Sequence, residues 1–201
     1  METWIAAATG YLVGSLPLGF LIARRAGVDL RSVGSGNVGA TNAYRAAGPR
    51  LGLAVLAVDV LKGLAAVLVA RVSAPGDLTA AAVAGVAAIV GHAYPVWLRS
   101  EGGKGVAVAA GVFAVLTPLA TGAAAAVFGL VVWATGFVSL GSVLAGTTLS
   151  IVAFLRSGAT AESLAAIGTA ALIVFRHRGN LARLLAGREP RLGDRSADRS
   201  S

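Results

Sequence analysis

Three polar clusters rich in glycine carry the residue types that could do chemistry in this chain. The first, Ser35-Gly36-Asn37-Val38-Gly39-Ala40-Thr41-Asn42, is followed by Arg45. Backbone amides freed by glycine can form an anion nest, hydroxyls donate to phosphate oxygens, and an arginine fork holds them bidentately. A glycine-rich turn that merely returns the chain to a membrane would look the same. The second cluster, Glu101-Gly102-Gly103-Lys104-Gly105, sets an ammonium among residues that let backbone approach a ligand. It is not a nucleotide loop, which needs Ser or Thr after the lysine and Gly six positions before it; this chain has Gly105 and Leu98 there. Taken alone, Lys104 reads better as a charge that sets topology. The third, Arg176-His177-Arg178-Gly179-Asn180, places an imidazole between cations that favour its neutral, proton-accepting form. An interfacial anchor with topogenic arginines fits these residues equally well. Ser142, after Gly141, could meet the same site or cap a helix.

Other polar residues suggest structure first. Asp59 and Lys62 are spaced i, i+3 and can pair on one helix face, and His92 precedes the interfacial run Tyr94-Pro95-Val96-Trp97. With no cysteine, thiol nucleophiles, disulfides and zinc-thiolate sites are excluded, and no carboxylate cluster suggests a metal.

The elements that must position these clusters are membrane helices. Hydrophobic residues make up 56% of the 201, charged residues 13%, and mean hydropathy is +0.79. That exceeds what a soluble domain buries. Apolar runs at roughly 3–23, 51–71, 78–98, 106–121, 123–139, 142–156 and 160–176 approach the ~20 residues a spanning helix needs. Backbone hydrogen bonding in lipid then dictates helices, and runs such as Ala80 to Val90 lack the alternation of a β-barrel. Fourteen of the seventeen basic residues fall on one side: five between Arg24 and Arg50, then Arg99 and Lys104, then seven from Arg176 onward. By the positive-inside rule that side is cytoplasmic and the N-terminus lies outside. Glu2 precedes the first apolar run and Arg24 and Arg25 follow it, the reverse of a cleaved signal peptide. The net charge of +8 thus reflects topology and calls for no nucleic acid. Gly10 with Gly14, and Gly136 with Ser139 and Ser142, are candidates for close helix packing.

The expectation is an all-α polytopic membrane bundle of about seven transmembrane helices. Residues 1–186 form one transmembrane domain and 187–201 a polar, mobile cytoplasmic tail. Its three clusters converge on one membrane face, where one shared anion site is the economical reading.

The ordered set Ser35 to Asn42, Asp59-Val60-Leu61-Lys62-Gly63, Gly91-His92-Ala93-Tyr94-Pro95-Val96, Gly102-Gly103-Lys104-Gly105-Val106-Ala107 and His177-Arg178-Gly179-Asn180 resembles the PlsY family of bacterial glycerol-3-phosphate acyltransferases. The resemblance implies transfer of a fatty acyl group from acyl-phosphate to glycerol 3-phosphate in the plasma (inner) membrane, yielding lysophosphatidic acid without a cofactor. It also implies catalytic or phosphate-binding roles for Ser35, Arg45, Lys104, His177 and Asn180. Further pocket roles are implied for Asn37, Thr41, Gly102, Gly103 and Ser142. The partners are then the two substrates and membrane lipid. The chain departs from the family pattern at Arg188, Arg191 and Glu101. The His-x4-Asp signature of thioester-using acyltransferases is absent, since His92 leads to Trp97 and His177 to Ala182. A transporter or flippase for a phosphorylated solute is the rival expectation, because cations in a helix bundle also serve passage.

Overall fold

The computed structural model describes residues 2–194, and among these all regular structure is helical. The N-terminal run, expected as one span, is one membrane-length stretch, Thr3–Arg25, broken into two helices: α1 (Thr3–Ser15) and α2 (Leu18–Arg25). Pro17 interrupts it because it lacks an N–H to continue the ladder. The Leu16 carbonyl released by the break accepts from Lys62 Nζ at 3.3 Å. A loop leads to α3 (Ala40–Ala47), α4 (Pro49–Ser73) and α5 (Leu78–Ala93), and a single 3-10 turn at Val96–Leu98 follows.

Beyond the Gly102–Gly105 loop come α6 (Val106–Leu116), α7 (Pro118–Thr135), α8 (Val138–Ser157), α9 (Ala161–Arg176) and α10 (Arg178–Leu185). Boundaries expected near 122 and 140 move to 117 and 137. Pro118 starts α7 in the first-turn position that proline favours, and Gly136, at φ 76°, ends it in the left-handed conformation. Ser142 therefore sits inside α8 and caps no helix; its hydroxyl donates to the Val138 carbonyl at 2.8 Å. Among the described residues, five helical stretches are long and apolar enough to cross a bilayer, whereas α6 is shorter.

Small residues decide the packing. On Gly10 and Gly14 of α1, a Cβ would lie 2.1 and 2.0 Å from the Ala84 and Ala88 carbonyl oxygens of α5. This bears out the close approach expected there. Gly63 and Gly111 play the same part between α4 and α6. Such contacts replace a hydrophobic driving force that lipid cannot supply. By contrast α7 buries only Ala120 and Ala124 and exposes Leu130 and Trp133, the pattern of a helix facing acyl chains.

The end of the chain differs from expectation. Residues 187–194 fold back on the bundle: Glu189 is buried, and the Leu192 amide donates to the Gly136 carbonyl at 2.8 Å. The remainder of the expected tail, 195–201, lies outside the described residues.

Candidate active site

A cavity of about 1050 Å³ opens among α3, α4, α6, α7, α8, α9 and the 187–194 segment. Eight of the ten residues singled out in the sequence line it: Ser35, Asn37, Thr41, Arg45, Lys104, Ser142, His177 and Asn180. Gly102 and Gly103 do not.

The first wall is the loop before α3. Asn42 is buried and staples it, donating through Nδ2 to the Leu30 and Val33 carbonyls at 2.9 and 3.1 Å and accepting from the Ser35 amide at 3.0 Å. Asn37 turns the chain by accepting the Gly39 amide at 3.0 Å and reaches across to the Gly102 carbonyl at 3.3 Å. The first turns of α3 and α6, at Gly39-Ala40-Thr41 and Gly105-Val106-Ala107, both line the cavity, and neither start is capped by a side chain. Two helix N-termini with free amides make a ready site for an anion.

The cations stand at the same mouth. Lys104 Nζ donates to Asn180 Oδ1. Asn180 in turn donates to Glu189 Oε1 at 2.6 Å, and Arg183 Nε donates to Glu189 Oε2 at 2.9 Å. Burial alone would raise the Glu189 carboxyl, but the Asn180 hydrogen bond, the nearby Ser139 hydroxyl and the Arg183 guanidinium together outweigh it and hold it below its ordinary value. Arg45 donates through Nη2 to the Pro190 and Arg191 carbonyls at 2.9 and 3.2 Å, while its buried Nε has no protein partner. Burial, reinforced by Arg183, Arg176 and Arg45 against the pull of Glu189, lowers Lys104 to about 8.

His177, between α9 and α10, is buried, and its Nδ1 lies 2.8 Å from the Ile173 carbonyl. A carbonyl can only accept, so Nδ1 carries the proton and Nε2 is the free acceptor. Burial and the Lys104 charge push its pKa down to about 4. The imidazole is neutral at physiological pH.

Gly102 and Gly103 pack closely against His92. A Cβ on Gly103 would sit 2.0 Å from His92 Nε2, and one on Gly102 would sit 2.1 Å from the His92 carbonyl oxygen. Sequence reasoning missed Glu189, Arg183 and Ser139, which line the cavity, as do Asp59 and His92 from deeper in the bundle. Asp59 Oδ1 pairs with Lys62 Nζ at 2.9 Å and faces His92 Nδ1 at 3.5 Å. Glu189 alone carried no signal, because nothing in a polar terminal stretch marks one carboxylate as buried.

Away from the mouth the walls turn apolar: Val60, Phe113, Ala124, Phe128, Leu149 and Ile173. The volume reaches the upper end of small-molecule pockets, ~300–1,000 Å³. The arrangement suits one ligand with an anionic head and a long apolar tail, or two ligands that meet at the junction.

Comparison with known proteins agrees. The family model described as glycerol-3-phosphate acyltransferase matches residues 4–187. A glycerol-3-phosphate acyltransferase of Syntrophotalea carbinolica is 44% identical over 190 residues, covering 94% of this chain and 96% of the relative. Crystal structures of PlsY, an integral membrane glycerol 3-phosphate acyltransferase, superpose on the fold. The glycerol 3-phosphate form gives a TM-score of 0.90 at 39% identity over 96% of both chains. The lysophosphatidic acid form gives 0.86 at 38% over 95% of both. With its matched length, shared fold and amphiphilic cavity, this chain belongs to the glycerol-3-phosphate acyltransferase family.

Proposed function

We propose that this acyltransferase takes its acyl group from acyl-phosphate and delivers it to the 1-hydroxyl of glycerol 3-phosphate, giving lysophosphatidic acid and inorganic phosphate. The carrying observation is a cavity that joins a cationic, amide-lined mouth to an apolar furrow. Acyl-phosphate is a mixed anhydride whose phosphate leaves readily, so the glycerol hydroxyl can attack the acyl carbon directly. The new C–O bond forms as the bond to phosphate breaks, and no acyl-enzyme is needed. Arg45, Lys104 and the α3 and α6 amides offset the phosphate charges, while Ser35, Asn37 and Thr41, which line the same cavity, orient them. Asn180 aims the ammonium, and Ser142 lines the junction with the furrow. His177, with Nε2 free but a pKa near 4, is a weak base. The hydroxyl proton passes instead to an oxygen of substrate phosphate.

The basic residues described earlier support a site facing the cytoplasm, in a seven-span chain of the bacterial inner membrane with its N-terminus outside. The test is to offer purified protein glycerol 3-phosphate with acyl-phosphate or, separately, with acyl-CoA. Lysophosphatidic acid from acyl-phosphate alone is expected; equal rates from acyl-CoA would refute the donor assignment.

The pH profile follows from Lys104. Its free-enzyme pKa is lowered to about 8, so the ammonium is charged below that pH and neutral above it. Because kcat/KM reports free-enzyme ionisations, it is expected to fall as pH rises through about 8. Initial rates at subsaturating glycerol 3-phosphate, in constant-ionic-strength buffers from pH ~6 to ~10, check this. A flat profile across pH ~8 would remove Lys104 from the essential ionisations.

A further inference from the structure

We infer that Arg176 is the positioning residue for Lys104, clamping the Gly102–Gly103 backbone in the path that delivers the ammonium to the cavity. In the sequence Arg176 reads as one more topogenic arginine, yet its guanidinium does not face headgroups. From the end of α9 it turns inward, donating through Nη2 to the Gly102 carbonyl at 3.0 Å and to the Gly103 carbonyl at 2.9 Å. It also stacks on the Tyr94 ring, 5.0 Å from the centroid. Its Nε is buried without a partner, a cost that a headgroup-facing arginine would avoid.

The loop it grips has no side chains of its own with which to hold its shape. Glycine loses more conformational freedom on ordering than any other residue, so two in succession before the functional lysine require outside anchors. The structure supplies them on three sides. His92 accepts the Gly103 amide at 3.1 Å, Asn37 donates to the Gly102 carbonyl at 3.3 Å, and Arg176 bridges both carbonyls. Of these, only Arg176 holds both residues of the pair and also adds charge near Lys104. The charged groups acting on that ammonium are Glu189 in its favour, and Arg183, Arg176 and Arg45 against it; neutral His177 adds no charge.

The inference rests on the reading of Lys104 as a substrate-phosphate residue, and the experiment separates the two. Arg176→Gln and Arg176→Lys are assayed in the full chain for KM, kcat and pH profile, beside Lys104→Ala. Both are expected to lose on the order of 10² in kcat/KM with a raised KM for glycerol 3-phosphate, since small misplacements of a positioning group carry such effects. In Arg176→Gln the fall near pH 8 is also expected to shift upward, because a repelling cation has gone. Tyr94→Leu, which removes the stack but keeps the backbone, is expected to show a smaller loss of the same kind, and Tyr94→Phe to restore it. This pair decides the matter if the Arg176 variants do not fold. Wild-type KM and pH profile in Arg176→Gln, or equal activity in Tyr94→Leu and Tyr94→Phe, would overturn the inference. A fully active Lys104→Ala would instead overturn the reading beneath it.

Discussion

Lys104→Ala is expected to lower kcat/KM by on the order of 10³ while leaving the melting temperature unchanged or slightly raised. The ammonium is largely withdrawn from water in a neighbourhood with three arginines and one carboxylate, so the apo protein gains little from holding it. That cost makes sense if the charge is matched by substrate phosphate, and the benefit grows as the anhydride bond breaks and charge collects on the departing group. Lys104→Arg is expected to recover only part of the rate. The planar guanidinium presents its donors in a fixed fork, and it cannot reproduce a point charge aimed by Asn180. In that variant the fall near pH 8 should vanish, because arginine does not lose its proton in this range. Rates and thermal melts of the three purified proteins test the prediction together.

The largest effect on stability is expected at Asp59. Its carboxylate and the Lys62 ammonium are 2.9 Å apart, with side chains only 4% and 5% exposed. Lys62 also donates to the carbonyl freed at the Leu16–Pro17 break, so the pair ties α4 to the kinked N-terminal run. Asp59→Ala would strand an ammonium in the bundle and is expected to cost ~3–5 kcal/mol. The double replacement Asp59→Leu with Lys62→Met removes both charges and should regain much of that loss, since apolar residues of similar volume substitute well for buried pairs. Thermal unfolding in detergent compares the two; a single variant as stable as the double would contradict the pairing account.

The fold was legible where physics leaves few choices. A chain this apolar must satisfy its backbone internally, so helices followed from composition, and their approximate places from the length of apolar runs. Boundaries failed where one residue overrules hydropathy. Pro17 splits a run that reads as continuous, and Pro118 with Gly136 relocates two helix ends. These signals were present in the sequence but are weaker than the apolar average across a window.

Most of the candidate site's lining was legible too, because glycine-bearing polar clusters in a membrane chain are few and charge placed them on one face. What they touch was not. Gly102 and Gly103 were expected to let backbone approach a ligand, and the side on which a Cβ would stand is occupied by His92. Arg45 was expected to hold phosphate, and it also grips Pro190 and Arg191 from 145 and 146 residues away, a contact no local pattern encodes. For the same reason Glu189 looked like part of a loose tail. Its burial depends on Asn180 and Arg183 meeting it across the turn after α10.

In the proposed reaction one cavity holds the phosphate beside Lys104 and Arg45 and the acyl chain between α6, α7 and α8. A crystal structure of this chain with lysophosphatidic acid bound tests it most directly. Phosphate oxygens are expected within hydrogen-bond reach of Lys104 Nζ and the α3 amides, with the alkyl chain running past Phe113 toward Leu149. A phosphate bound away from Lys104, or a chain lying on the outer face of the bundle, would contradict it.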